Sequence, residues 1–382
     1  MIALAVWVVA SQVESPRLRT LLPNGAATIV ETVKDAPYAT IHLFASTRDC
    51  RETPENNGWR HLFEHLILSG FDAEAQSKGM FLTGSTFREF SRFEIKFEPS
   101  KLSDATKSIA SLLRRRTFDE ATITKEIGIV DQEMALLTDA QRLTQGAWQH
   151  SYEGQRPDPF GTLESLAKCT PQELDAVRER LFNPPNVVVA IVGPMDVKSM
   201  SQAASSIVGG LTARSFGTQT NEPAAAQVRG RFEVVGVVGE ARSTICAGLR
   251  SKEGMATLCA ALALGSDFED SFFSYTPSLG SSLMTIGRTR DVGPFTQGID
   301  GLNVSEFQSL WERGKTLARS WFATQMKSPR GLAYLRGLYL LQNRSAKPED
   351  SLALVESVSE SDFVAAASRF AKSGSVVTVG VR

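Results

Sequence analysis

The sequence has no excess of either charge, no closely paired cysteines and no apolar run that could span a bilayer. Its 41 Lys and Arg residues balance 42 Asp and Glu residues to a net charge of -1. It therefore gives no electrostatic reason to expect nucleic acid or an anionic membrane as a partner. Because no Cys-x-x-Cys pair occurs, we expect ordinary thiols rather than a zinc ribbon or a disulfide framework at Cys50, Cys169, Cys246 and Cys259.

The length of the chain and its first residues indicate its domain organisation. A chain of 382 residues with 42% hydrophobic and 22% charged residues is typical of a globular protein of two or more domains. The opening MIALAVWVVASQ is apolar for ten residues but has no basic leader. We treat residues 1–16 as an N-terminal extension, either a first strand or the remnant of an export signal. Cytoplasmic and periplasmic locations both stay open.

A helix-and-strand pattern occurs twice in the sequence. TPQELDAVRERLFNPPNVVVAIVG begins at Thr170, and SESDFVAAASRFAKSGSVVTVGV begins at Ser359, 189 residues later (359 − 170). Each segment opens with a capping-box pattern and ends in a β-branched run. A repeat at half the chain length predicts two similar domains.

Each half also begins with strand-like segments, RTLLPNGAATIVETV and YATIHLFAST in the first half and GRFEVVGVV and STICAGLR in the second. Strands followed by helices and a closing strand predict an α+β fold. Each domain should contain a mostly antiparallel sheet with helices packed on one face. We place the first domain at 17–212, a Gly/Pro/Ala-rich linker at 213–227 and the second domain at 228–382.

The segment GWRHLFEHLILSG, residues 58–70, carries two of the four histidines. On a helix, the large apolar residues form one stripe, and His61, Glu64 and His65 lie on another side. Imidazoles four residues apart can bind one metal ion, and Glu64 would lie beside them. The alternative is a pair of surface histidines, but the His-x-x-Glu-His spacing rarely arises by chance. A catalytic zinc site needs a third ligand, which should be a carboxylate on another element.

Residues 119–139, DEATITKEIGIVDQEMALLTD, predict a helix that can supply this carboxylate. Glu126 and Glu133 are two turns apart and share the face beside the apolar stripe. Either glutamate alone would be an ordinary surface acid, so the residues by themselves leave the choice of ligand open.

These motifs resemble the inverted zinc-motif peptidases of the pitrilysin and insulinase type, which include the subunits of mitochondrial processing peptidase. The similarity extends to LLPNGAATIVE and to FNPPNVVVAIVGPMD. It implies a half-size zinc endopeptidase subunit with one Zn²⁺ per chain. By the resemblance, His61 and His65 are metal ligands and Glu64 is the general base. Glu133 is then the third ligand, and Glu126 is a supporting acid of the catalytic site.

The resemblance also implies a substrate-binding edge strand in GMFLTGSTFREFSRFEIKF. In the family this strand holds peptide by main-chain pairing and commonly carries Asn-Ala, where this sequence has Thr83 and Gly84. The family's second half supplies an arginine and a tyrosine to the substrate. Tyr275 is the nearest match to that tyrosine, but Phe268 stands seven residues before it and no arginine is near. A merely buried tyrosine is therefore the favoured interpretation of Tyr275.

The missing arginine favours a dimer, preferentially a heterodimer whose homologous partner supplies the Arg/Tyr pair. A homodimer stays open. We expect a peptide substrate, no nucleic acid and no stable membrane span. The alternative function is a non-catalytic zinc-binding or scaffolding subunit of a peptidase-like complex.

Overall fold

The computed structural model describes residues 16–152, 158–216, 231–235, 239–266, 271–289, 299, 301–342, 347–373 and 376–380. The predicted extension at 1–16 lies almost entirely outside these residues, as does most of the predicted linker at 213–227. No helix within these ranges has the length and apolar character needed to cross a membrane. All four cysteines are buried and free, as predicted.

The first half of the chain forms a six-stranded sheet. The strands are β1 (Arg17–Leu21), β2 (Ala27–Thr32), β3 (Ala39–Ser46), β4 (Phe81–Thr86), β5 (Phe90–Phe97) and β6 (Val187–Gly193). They lie in the order β1-β2-β6-β3-β5-β4. Among these described strands only β2 and β6 pair in parallel, and β4 is an edge strand that pairs with β5.

Among the described residues of the first half, eight helices of four or more residues accompany this sheet. They are α1 (Trp59–Leu68), α2 (Phe71–Ser77), α3 (Leu102–Leu112), α4 (Glu120–Ala135), α5 (Asp139–Ser151), α6 (Leu163–Leu166), α7 (Pro171–Leu181) and α8 (Val197–Val208). Alternate sheet residues such as Ile41, Leu43 and Phe93 pack with apolar residues of α1, α3, α7 and α8 in one core. This layer covers one face of the sheet.

The second half repeats the plan. Its strands are β7 (Arg231–Val235), β8 (Glu240–Cys246), β9 (Ser271–Thr276), β10 (Ser282–Arg288) and β11 (Val376–Gly380). They lie in the order β7-β11-β8-β10-β9, and only β7 and β11 are parallel. Its helices are α9 (Lys252–Gly265), α10 (Val304–Met326), α11 (Pro329–Gln342), α12 (Pro348–Ser357) and α13 (Glu360–Ser373).

The two sheets share one topology, because β2-β6-β3-β5-β4 and β7-β11-β8-β10-β9 have the same order and the same parallel pair. The closing strands begin at residues 187 and 376, again 189 residues apart (376 − 187). The predicted α+β class with two similar, mostly antiparallel sheets is therefore confirmed. The domain boundaries at 17, 212 and 228 stay predictions.

Each half also packs one helix on the other half's sheet. Helix α5 places Leu143, Ala147 and Trp148 against Ala241 and Leu283 of the second sheet. Helix α11 crosses the inner face of the first sheet, the face opposite the α1/α3/α7/α8 layer. No pattern in the sequence predicted this exchange of helices.

The contact of α11 with the first sheet is close and charged. A side chain on Gly337 would place its Cβ 2.1 Å from the Phe44 ring, so glycine allows the helix to lie directly on β3. Arg336 of α11 is buried and donates from Nε to Glu31 Oε2 at 2.7 Å. The same guanidinium contacts both carboxylate oxygens of Glu349. A buried ion pair therefore joins the two halves.

Candidate metal centre

Helix α1 has the amphipathic character that its sequence predicted. Leu62, Phe63, Leu66 and Ile67 are buried in the core of the first half. The helix begins after Gly58, whose φ of +87° and contact with the backbone of Gly161 both disfavour a side chain. Because the apolar face of α1 packs in the core against the first sheet, the other side of the helix faces α4.

Helix α4 is shorter than predicted. The sequence predicts one helix over 119–139, but α4 ends at Ala135 and α5 starts at Asp139. Thr138 caps α5 through a capping box with Gln141, and this local signal ends the first helix. The turn between α4 and α5 allows α5 to run towards the second sheet and pack against it. Glu126 and Glu133 both remain on α4.

The structure brings His61, His65 and Glu133 together. His61 Nε2 and His65 Nε2 are 3.2 Å apart. Glu133 Oε2 lies 3.5 Å from His61 Nε2 and 3.4 Å from His65 Nε2. These three residues form the one group of potential metal ligands within the described part of the chain.

The spacing of these atoms fits a zinc ion. Tetrahedral zinc with ligands at about 2.0–2.1 Å requires ligand atoms about 3.3 Å apart. The three observed separations, 3.2, 3.4 and 3.5 Å, bracket this value. Two imidazoles and one carboxylate are also a donor set that zinc accepts, and three protein ligands leave a fourth position open.

The environment of His61 keeps its ring neutral. Burial first, and then the charges of His65 and Arg60, lower the pKa of His61 to about 3. A neutral imidazole is the form that binds metal. Phe160 packs edge-on against the His61 ring with 4.9 Å between centroids, which shields this side of the site from water.

Glu126 and Glu64 flank the three ligand candidates. Glu126 is buried, and its Oε2 lies 3.6 Å from His65 Nδ1, on the far side of that ring from Glu133. Glu64 is also buried and accepts a 2.6 Å hydrogen bond from Thr86 Oγ1. Burial raises the pKa of Glu64 to about 7, although the Thr86 hydrogen bond acts in the opposite direction.

Thr83 and Gly84 lie on the edge strand β4, as the sequence analysis expected for that segment. Within the described chain β4 pairs only with β5, so its outer edge has unpaired main-chain groups. Gly84 lies directly below Glu64, because a Cβ there would be 2.3 Å from Glu64 Oε1. The small residue thus provides the space that the Glu64 carboxylate occupies.

Tyr275 lies on β9, the edge strand of the second sheet, and not among the ligand candidates. Its hydroxyl is 3.4 Å from Ser282 Oγ, its ring meets Trp321 edge-on, and burial raises its pKa. Tyr275, Thr86 and Phe160 all line one cavity of about 380 Å³. Its role in substrate binding stays a prediction.

Two residues of this site, Thr86 and Phe160, were not assigned a role from the sequence. Thr86 could have been found, because alternation along β4 puts it on the same face as Gly84. Phe160 is 99 positions from His61 (160 − 61), and no local pattern connects them.

The fold of two similar sheets also occurs in solved structures named as proteases. A protease from Helicobacter pylori has this fold, with a TM-score of 0.80 and 15% identity over 96% of this chain and 100% of that one. Residues 28–155 match the family model described as Insulinase (Peptidase family M16). The predicted resemblance to insulinase-type peptidases is confirmed.

Curated relatives match this chain at low identity. A probable mitochondrial-processing peptidase subunit beta of Arabidopsis thaliana is 24% identical over 222 residues, which cover 54% of this chain and 41% of the relative. An uncharacterised zinc protease of Streptomyces coelicolor is 24% identical over 191 residues, or 47% of this chain and 41% of that protein. The match thus spans about two fifths of the length of these relatives.

Proposed function

We propose that this chain is the zinc-bearing subunit of a metalloendopeptidase that hydrolyses peptides inside a chamber. The observation that carries the proposal is the set of three donor atoms from His61, His65 and Glu133 at the spacing that one zinc ion requires. The buried acid Glu64 lies one helical turn from His61 and next to His65. Relatives named as zinc proteases and peptidase subunits support the same function.

His61, His65 and Glu133 would hold one Zn²⁺ per chain. Zinc at this position supplies Lewis acidity, which polarises the scissile carbonyl and makes water a stronger acid. Glu126 Oε2 lies 3.6 Å from His65 Nδ1 and would orient this ring by accepting a hydrogen bond from Nδ1–H. The acid therefore fixes which nitrogen of His65 faces the zinc position.

Glu64 acts as the general base. With a pKa of about 7, its carboxylate can take a proton from the attacking water near neutral pH and return it to the leaving amine. The hydrogen bond from Thr86 holds one oxygen of Glu64 and leaves the other for this transfer. The peptide would pair with the outer edge of β4 beside Thr83 and Gly84.

Zinc analysis and cleavage of a mixed peptide library, with and without a chelator, test this function. We expect one zinc ion per chain and chelator-sensitive cleavage. Glu64→Gln should keep zinc and lose cleavage, because an amide accepts the Thr86 hydrogen bond but cannot take a proton. Cleavage by Glu64→Gln at the normal rate would remove the base assignment.

The alternative is a non-catalytic zinc-binding or scaffolding subunit. Thr83 and Gly84 at the Asn-Ala positions and the lack of an arginine before Tyr275 favour it. The presence of Glu64 favours the peptidase, because zinc binding alone does not need this acid and catalysis does. Zinc at full occupancy without cleavage of any peptide, even with the native partner present, would decide for the alternative.

We further propose that the active assembly is a dimer, preferentially a heterodimer with a homologous chain that supplies the Arg/Tyr pair. Relatives named as beta subunits support an assembly of more than one chain. Purification from the native host tests this. Recovery of this chain alone, with full activity, would contradict the heterodimer and leave the homodimer.

A further inference from the structure

Strand β5 turns two charged residues to the inner face of the first sheet. Phe93 packs into the helix-covered core, so its neighbours Arg92 and Glu94 point the other way. In the antiparallel register, Arg92 pairs with Ser85 and Glu94 pairs with Thr83. Both charges therefore lie beside the edge strand at which we place the substrate.

Arg92, Arg330 and Glu94 together carry one positive charge in excess, and the Glu64 carboxylate is a further acid near Arg92. Arg330, at the start of α11, donates from Nε to Glu94 Oε1 at 2.6 Å. Arg92 Nη2 lies 3.6 Å from the other oxygen of the same carboxylate. Two guanidinium groups thus share one buried carboxylate. His42 is 3.8 Å from Glu94, and burial, Arg92 and Arg330 lower its pKa well below the usual value, so it is neutral.

The guanidinium of Arg92 is held in place and directed towards the edge strand. Nη2 donates to Ser85 Oγ at 3.2 Å, and the group lies over the Tyr334 ring at 5.2 Å. Its side chain is only 13% exposed, and its Nε is fully buried, so the Nη groups are the part of the guanidinium that can reach a ligand. A fixed arginine whose Nη2 reaches the edge strand favours a carboxylate, because the planar fork of N–H groups matches two oxygens.

A peptide paired with β4 would add a strand about 4.8 Å beyond it, with every second side chain on the inner face. We propose that one of these inner-face positions is an acidic subsite, where Arg92 binds an Asp or Glu side chain of the substrate. Arg330 is half-exposed and adds its charge to the same subsite. This inference rests on the proposed peptidase function and on strand pairing at β4.

Peptide pairs that differ only in Asp or Asn test the subsite. The substitution is moved through each position around a cleavage site found with the peptide library, and kcat/KM is measured with zinc-loaded protein. At one position we expect Asp to exceed Asn by at least about tenfold, as for a charge-assisted hydrogen bond. Arg92→Gln should reduce this ratio to about one. Arg319→Gln is the control, because its ion pair with Glu356 lies on another, exposed surface.

Arg330→Gln is the second variant, since a half-exposed residue at a helix start should tolerate the change even if Arg92→Gln does not fold. It should lower the Asp/Asn ratio at the same position by about threefold or more. Binding of the same peptides to zinc-loaded Glu64→Gln separates the two hypotheses. If the unmodified chain cleaves no peptide but Asp peptides still bind more tightly than Asn peptides, the proposed catalytic function is wrong and the acidic subsite is supported. Equal treatment of Asp and Asn by the unmodified chain, or an unchanged ratio in both arginine variants, would overturn the subsite.

Discussion

The two glutamates of α4 should respond differently when each is replaced by glutamine. Glu133 Oε2 lies within 3.5 Å of both histidine Nε2 atoms, whereas Glu126 Oε2 is 3.6 Å from the opposite nitrogen of His65. On the proposed ligand assignment, Glu133→Gln removes a charged ligand. Glu126→Gln then leaves all three proposed ligands in place and weakens only the orientation of the His65 ring.

The magnitudes follow from these positions. Loss of a partner behind a ligand typically lowers metal affinity by about 10–100-fold, or about 1.4–2.7 kcal/mol. We expect this loss for Glu126→Gln. Glu133→Gln should lose more, because a neutral amide oxygen replaces a carboxylate at the metal itself. The zinc Kd should thus rise from the unmodified chain to Glu126→Gln and again to Glu133→Gln.

Competition with a chromophoric zinc chelator at neutral pH measures these constants. Asp131→Asn, an exposed change on the same helix, is the matched control and should leave the Kd unaltered. Melting curves of the zinc-free proteins show whether the fold is intact. Weaker binding by Glu126→Gln than by Glu133→Gln would refute the assignment of ligand and supporting acid.

Two further predictions concern the junction of the halves. Arg336→Met leaves Glu31 buried without its cation and should cost about 3–5 kcal/mol. For 382 residues that unfold together, this lowers Tm by about 4–6 °C in calorimetry; an unchanged Tm would show that the ion pair contributes little. Partial burial alone would raise the pKa of Glu349, but the hydrogen bonds and charge of Arg336, aided by Arg17, lower it to about 2. This stabilisation is complete above the unfolded pKa of about 4.3 and is lost as pH falls through about 2. As pH falls through this range, the urea midpoint of Glu349→Gln should therefore fall less than that of the unmodified chain. An equal fall of both midpoints with pH would contradict the assignment.

Local patterns in the sequence predicted what depends on one helix or one strand. The apolar stripe of α1 separates its core face from His61 and His65, and both faces are present in the structure. The repeat 189 residues apart predicted two sheets of one plan, because each segment carries its own capping and strand signals.

Contacts between distant segments were not predictable in this way. The prediction of one helix over 119–139 did not take account of the capping box at Thr138, which starts a new helix. The packing of α5 on the second sheet was therefore not predicted. Arg92 and Arg330 are 238 positions apart (330 − 92), and only the packing of α11 on the first sheet brings them to one carboxylate. Such clusters depend on tertiary packing, which the hydrophobic periodicity of a sequence does not predict.

The crossed placement of α5 and α11 makes each half of the chain depend on the other. Without the second half, the first sheet would lose the helix that covers its inner face, and Leu143, Ala147 and Trp148 of α5 would lose the surface on which they pack. The reciprocal contact therefore couples the two halves into one cooperative unit, although each has its own sheet.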